Sequence, residues 1–181
     1  VIGNSSGGMV SFKLLSRHPD LVSTVLPYEP PAARFLPDFD SLFAAAEEVY
    51  ATYRAAGKFA GRERFADFIK ADSSMRNSIT QTPTNDASHN WNSMYWWERE
   101  FMPYPNTEFD VDGELKPYKD KLVLVNGRDS NTEAYQFRAN VALAERLGLQ
   151  VVLFPGEHVG HSTCPRDFAA NLVEVLGTRG Q

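Results

Sequence analysis

The sequence predicts an α/β fold, a parallel sheet with flanking helices, interrupted by a helical insertion. Three observations carry that prediction. Short Val- and Leu-rich runs alternate with helical patterns toward both ends of the chain. The middle, residues 38–104, offers no convincing strand yet holds all three tryptophans and thirteen of the aromatic residues. A G-x-S-x-G run (Gly3, Asn4, Ser5, Ser6, Gly7) stands between an apolar stub and a helical pattern.

Taken in order, Val1 and Ile2 read as the end of a buried strand. Met9, Val10, Phe12, Leu14 and Leu15 then continue as an apolar helix as far as His18. Pro19 stops it, because a proline disfavours helix in the residue before it. Residues 21–28, with Val22, Val25 and Leu26, read as a second buried strand, bounded by the proline cluster at 27–31. In the insertion, Leu42, Ala46, Val49 and Tyr53 mark one amphipathic helix, Phe65, Phe68 and Ile69 a second, and Trp91, Met94, Tyr95, Trp97 and Phe101 a third. Residues 121–126, K-L-V-L-V-N, form the next strand and end at Gly127. Residues 132–147 are a helix with Tyr135, Ala139, Ala142, Leu143 and Leu147 on one face and Gly148 as its stop. Residues 151–154 are a strand closed by Pro155-Gly156, and residues 167–176 a last helix burying Phe168, Leu172, Val175 and Leu176. The organisation expected is therefore core at 1–37, a helical aromatic-rich lid at 38–104, and core again at 105–181. A lid of that composition suits an apolar small-molecule substrate, since such pockets are lined largely by aromatic and aliphatic groups.

Composition narrows the function classes. A chain of 181 residues with 43% hydrophobic and 23% charged residues is long enough for one core plus a small lid. A net charge of −5 supplies no electrostatic reason to bind nucleic acid. Cys164 is the single cysteine, so no intramolecular disulfide forms, and a reducing, cytoplasmic setting is expected. No apolar run reaches the length of a membrane span, and nothing at the start resembles a signal peptide.

The G-x-S-x-G run has the form of a nucleophile elbow, a tight strand-to-helix turn that exposes a serine hydroxyl. Such a serine needs a base to take its proton and a carboxylate to hold that base in the right tautomer. Of four histidines, His18 ends a helix beside Pro19 and His89 lies in the insertion with no strand to position it. His158 follows the strand at 151–154 through Pro155-Gly156-Glu157, at the sheet edge where ligand and catalytic groups of open α/β sheets collect. It is the candidate base. His161, Glu157 and Cys164 stand close enough to invite a metal reading, but Gly156, Gly160 and Pro165 deny them a regular helix and no second ligand cluster exists, so no metal or cofactor is expected. Two acids compete. Asp129 follows the strand at 121–126 and completes the chain order nucleophile, acid, base. Its rival reading is structural, at the positive end of a helix opened by a Ser130–Glu133 capping box. Glu29, in the run Tyr28-Glu29-Pro30-Pro31, is the alternative acid.

With these residues assembled, the chain resembles the α/β-hydrolase superfamily, and within it a group carrying G-x-S-S-G-G, an E-P-P run, W-W-x-x-E-F and P-G-x-H. Here those are residues 3–8, 29–31, 96–101 and 155–158. The similarity covers essentially the whole chain and looks like the portion from the elbow onward, without the strands that normally precede it. The resemblance implies Ser5 as nucleophile, His158 as base and the Ser6 backbone amide as an oxyanion donor. It departs from the superfamily at the acid, whose usual place three residues past the strand-end glycine holds Ser130, with Asp129 one earlier. The function expected is a serine hydrolase of apolar esters, thioesters or lactones acting through Ser5, Asp129 and His158. A non-catalytic ligand-binding module, and a lyase, perhydrolase or carbon–carbon bond hydrolase on the same elbow, are the alternatives.

Overall fold

Four short strands hydrogen-bond in the order β1-β2-β3-β4, every pair parallel. They are β1 (Ile2–Asn4), β2 (Leu26–Tyr28), β3 (Leu124–Gly127) and β4 (Val151–Phe154). The chain's structure, a computed structural model, describes residues 1–80 and 87–178. It divides into two compact units, one of Val1–Pro31 with Glu108–Gln181 and one of Ala32–Thr107. Among the described residues, no helix is long and apolar enough to cross a membrane.

The first unit contains the sheet. Helix α1 (Ser6–Arg17) buries Met9, Phe12 and Leu15, the face marked by its apolar spacing. The strand expected at 21–28 is shorter: Pro19 opens a turn of 3-10 helix over Pro19–Leu21, and only Leu26–Tyr28 pair as strand. Proline within that strand leaves a gap in the ladder, because Pro27 carries no N–H. A side chain from further along ties the strands together beside it. Asn140 Nδ2 donates to the carbonyls of Pro27 (3.1 Å) and Val125 (2.9 Å). Asn140 stands in a helix over Tyr135–Leu147, which Gly148 terminates in the left-handed conformation (φ 66°). The sheet's other face is covered by a helix over Pro165–Gly177, whose Phe168 packs with Leu26, Tyr28, Val123, Val125 and Phe154. Full burial of such side chains contributes about 1.5–3 kcal/mol each, which makes this cluster the unit's core.

The second unit contains the insertion. Its first two expected helices are one element, α2 (Phe39–Phe68), broken at Gly57, whose φ of 84° and ψ of 178° lie outside helical space. Helix α3 (Ser73–Thr80) follows, then α4 (Ala87–Tyr95) running into a π-helical turn over Trp96–Glu100. Helix α3 is short and polar on average, with Met75 and Ile79 as its only apolar residues, too few to mark it by pattern alone. Trp97 stacks flat on Tyr53 at 4.7 Å and meets Phe65 and Phe101 edge-on. With Ala46 and Val49 these rings form the unit's own core. In the remaining chain order, the helices over Tyr135–Leu147, Gly160–Thr163 and Pro165–Gly177 are α5, α6 and α7.

Candidate active site

Ser5 lies between the last residue of β1 and the first of α1, with φ 53° and ψ −123°. A non-glycine residue in such a region costs on the order of 1–3 kcal/mol, and persists only where its surroundings hold it. Here the Ser5 N–H donates to the Tyr28 carbonyl (2.9 Å), and its own carbonyl accepts from the Gly8 N–H (2.8 Å). The glycines admit this turn unequally. A Cβ on Gly3 would collide with the Gly7 carbonyl, and one on Gly8 would lie 2.9 Å from the Pro30 Cβ. Gly7, the second glycine of the motif, has nothing within 4 Å of where its Cβ would be, so Gly8 and not Gly7 makes the second close approach. Ser6 opens α1, so its N–H has no acceptor within the helix and sits at the positive end of the helix dipole.

Glu29 follows β2 at φ 43°, again on the positive side. Its N–H donates to Val125 O (3.0 Å), which fixes the backbone beside β3. The carboxylate is fully buried, and both its oxygens are engaged. Oε1 accepts from the Gly127 N–H at 2.8 Å, and Oε2 lies 2.7 Å from His158 Nδ1. A carboxylate beside Nδ1 favours the tautomer with the proton there, leaving the Nε2 lone pair free to accept one. His158 is itself buried, at 6% exposure. Its loop is sewn to the end of β3: Arg128 N–H donates to Phe154 O and Asp129 N–H to Gly156 O. Gly156 turns the chain there with φ 84°.

The carboxylate that meets His158 is that of Glu29, the alternative acid read from the sequence. The Asp129 side chain is exposed and makes no hydrogen bond to His158. The physical reason is the packing at the end of β3, where a Cβ on Gly127 would lie 2.6 Å from Gly156 O. Without a side chain at Gly127 the two turns come close, and the Asp129 N–H donates to Gly156 O while its side chain is exposed. The capping box expected of Ser130 and Glu133 does not form either. Asn131 Oδ1 takes the Glu133 N–H at 2.9 Å, α5 begins at Tyr135, and the buried Ser130 Oγ has no partner among the described residues. A signal for Glu29 did exist in the sequence: a single acid inside an apolar, proline-rich strand end is costly to bury without a partner.

The other histidines serve elsewhere. The His18 N–H caps α1 on Leu14 O, and His161 is exposed, edge-on to Phe168 at 6.0 Å. The His89 side chain lies outside the described residues. Among the described residues, no group of three or more His, Cys, Asp or Glu side chains stands together as a metal site would require. The Ser5 hydroxyl and His158 make no hydrogen bond in this structure.

Among known proteins, the chain is similar to the uncharacterized hydrolase YraK of Bacillus subtilis (strain 168), 24% identical over 178 residues, which are 97% of this chain and 62% of that protein. Its structure is similar to that of an enol-lactonase from Burkholderia xenovorans (TM-score 0.57, 17% identity, 97% of this chain and 64% of the other). It is also similar to that of a hydrolase from Pseudomonas aeruginosa (TM-score 0.60, 15% identity, 97% and 63%). No protein-family model matches the chain. The chain therefore spans somewhat under two thirds of the length of these relatives. Its fold is that of the α/β-hydrolases.

Proposed function

We propose that this chain carries the nucleophile, base and acid of a serine hydrolase acting on an apolar ester, thioester or lactone, with Glu29 in the acid's role. Ser5 Oγ attacks the substrate carbonyl while His158 Nε2 takes its proton. Glu29 keeps the imidazole oriented and stabilises the imidazolium that forms. The negative oxygen of the tetrahedral intermediate lies against the Ser6 N–H at the start of α1, where a dipole of the right sign is already in place. His158 then hands the proton to the leaving alkoxide or thiolate, and water repeats the sequence on the acyl-enzyme. No cofactor takes part in these steps. The observation that carries the reading is the buried 2.7 Å contact between His158 Nδ1 and Glu29 Oε2, one strand over from the strained Ser5 turn. Charge-assisted bonds of that length are the strong ones, and burial keeps water from competing.

The test is labelling of the full-length protein with a fluorophosphonate, followed by peptide mapping. One adduct is expected, on Ser5, and Ser5→Ala abolishes it. Absence of an adduct, or an adduct on another residue, overturns the proposal.

A further inference from the structure

Asn4 and Tyr28 stand opposite each other as register partners on the parallel strands β1 and β2. Each immediately precedes a residue of the site: Asn4 comes before Ser5, and Tyr28 before Glu29. Register partners in a parallel sheet present their side chains on the same face. Both side chains here reach the loop after β4. Asn4 Nδ2 donates to the His158 carbonyl at 2.8 Å, and the Tyr28 hydroxyl donates to the Glu157 carbonyl. Those two carbonyls belong to the peptide groups on either side of the His158 Cα.

We infer that Asn4 and Tyr28 are positioning residues, which clamp the two peptides flanking His158 and so hold its imidazole at a fixed place relative to Ser5 and Glu29. The inference rests on the reading of Ser5, His158 and Glu29 as nucleophile, base and acid. With both peptide planes held, the imidazole moves only about its own side-chain torsions, and the bond to Glu29 restrains those. The surroundings are shaped for the clamp. A Cβ on Gly160 would collide with Pro155 O and lie 3.2 Å from the Tyr28 hydroxyl, so glycine lets the loop close over the phenol. The Gly160 N–H donates to the same Glu157 carbonyl at 2.8 Å. Tyr28 is fully buried, edge-on to Phe168 at 5.6 Å and nearly parallel to the His158 ring at 6.5 Å, so its hydroxyl has little freedom to leave. Burial, then the neighbouring Glu29 charge, push its phenol well above the ordinary value, so it remains a donor through the neutral range. The nucleophile's strand and the acid's strand each contribute one hydrogen bond to the base's loop. A displacement of the three relative to one another by about 1 Å costs roughly 10²-fold in rate where such geometry matters.

The experiment uses the full-length protein and a fluorophosphonate probe, with Tyr28→Phe, Asn4→Ala and the double variant. Each single change lowers the maximal labelling rate by about 10-fold, while the probe concentration giving half that rate stays within about twofold. The double variant loses less than the product of the two, because both bonds act on one loop. The downfield Nδ1 proton resonance of His158 broadens in each. Rates are taken per folded molecule, which a merely structural role leaves unchanged while the melting temperature falls; that result overturns the inference. If Tyr28→Phe does not fold, Asn4→Ala alone decides. The two levels separate cleanly. A wild-type protein unlabelled at Ser5 overturns the hydrolase reading and this one with it, whereas a labelled wild type with both variants at its rate overturns the clamp alone.

Discussion

In the unit of Val1–Pro31 and Glu108–Gln181, the buried Glu29 carboxylate meets the Gly127 N–H and His158 Nδ1 at strand ends at 2.7–2.8 Å. In the unit of Ala32–Thr107 the core cluster is rings against rings, and polar bonds such as those Glu98 accepts from Tyr50 and Tyr53 at 3.0 Å lie toward the surface. Those two phenols, with Arg54, hold the Glu98 carboxyl below its usual range. The contrast is one of directionality. A hydrogen bond fixes angle and distance, so the first unit defines the place of single atoms. Stacked rings are held by area and shape, so the second unit defines a volume. One unit is sensitive to the exchange of one atom, and the other to the loss of a side chain.

The largest effect on stability falls in the second unit. Trp97→Ala removes the ring that stacks on Tyr53 and meets Phe65 and Phe101, and costs about 3–5 kcal/mol. Limited proteolysis shows cleavage within 32–107 accelerated before cleavage elsewhere. Equal acceleration across the chain would break the division between the units. Next comes the elbow. Gly3→Ala forces a methyl onto the Gly7 carbonyl and destabilises by about 1–3 kcal/mol, read as a fall in urea midpoint at constant slope.

A smaller effect appears at high pH. Burial raises the phenols of both Tyr28 and Tyr135 in the first unit. The folded state then keeps protons that the unfolded chain releases above the ordinary phenol value of about 10. The unfolded state binds fewer protons there, so stability is fully present below that value and declines as pH rises past it. Thermal unfolding between pH 8 and 11 follows that decline, and Tyr135→Phe flattens it. A decline of the same slope in the variant would assign it to other groups. Smallest of all, Gly7→Ala meets open space and raises stability by about 0.5–1 kcal/mol, through the lower entropy of the unfolded chain. A loss at Gly7 as large as that at Gly3 would contradict the unequal roles of the two glycines.

Much of the first unit was legible in residue pattern. The strand at 151–154 has the bounds read from its apolar run, and Gly148 ends α5 where a stop was expected. The turn at Ser5 and the loop bearing His158 lie where the motif and the strand end put them. The partner of His158 was less legible. Chain order favoured Asp129, but proximity across a parallel sheet depends on where the neighbouring strand lets its chain turn, and here Glu29 turns at φ 43°. No pattern of hydrophobicity reports a backbone angle. The same gap explains α2, where Gly57 breaks one long element rather than separating two distant helices; α3 is a different case, a short polar helix with only Met75 and Ile79 to mark its face.

The central proposal is that Glu29, rather than Asp129, serves as the acid partner of His158. Its most direct measurement is the Ser5 labelling rate of Glu29→Gln beside that of Asp129→Asn, both in the full-length protein. Glu29→Gln keeps the shape but offers His158 Nδ1 no carboxylate, and the rate falls by about 10³-fold or more, while Asp129→Asn stays within a few-fold of wild type. The reverse pattern, with Asp129→Asn crippled and Glu29→Gln active, would contradict the account.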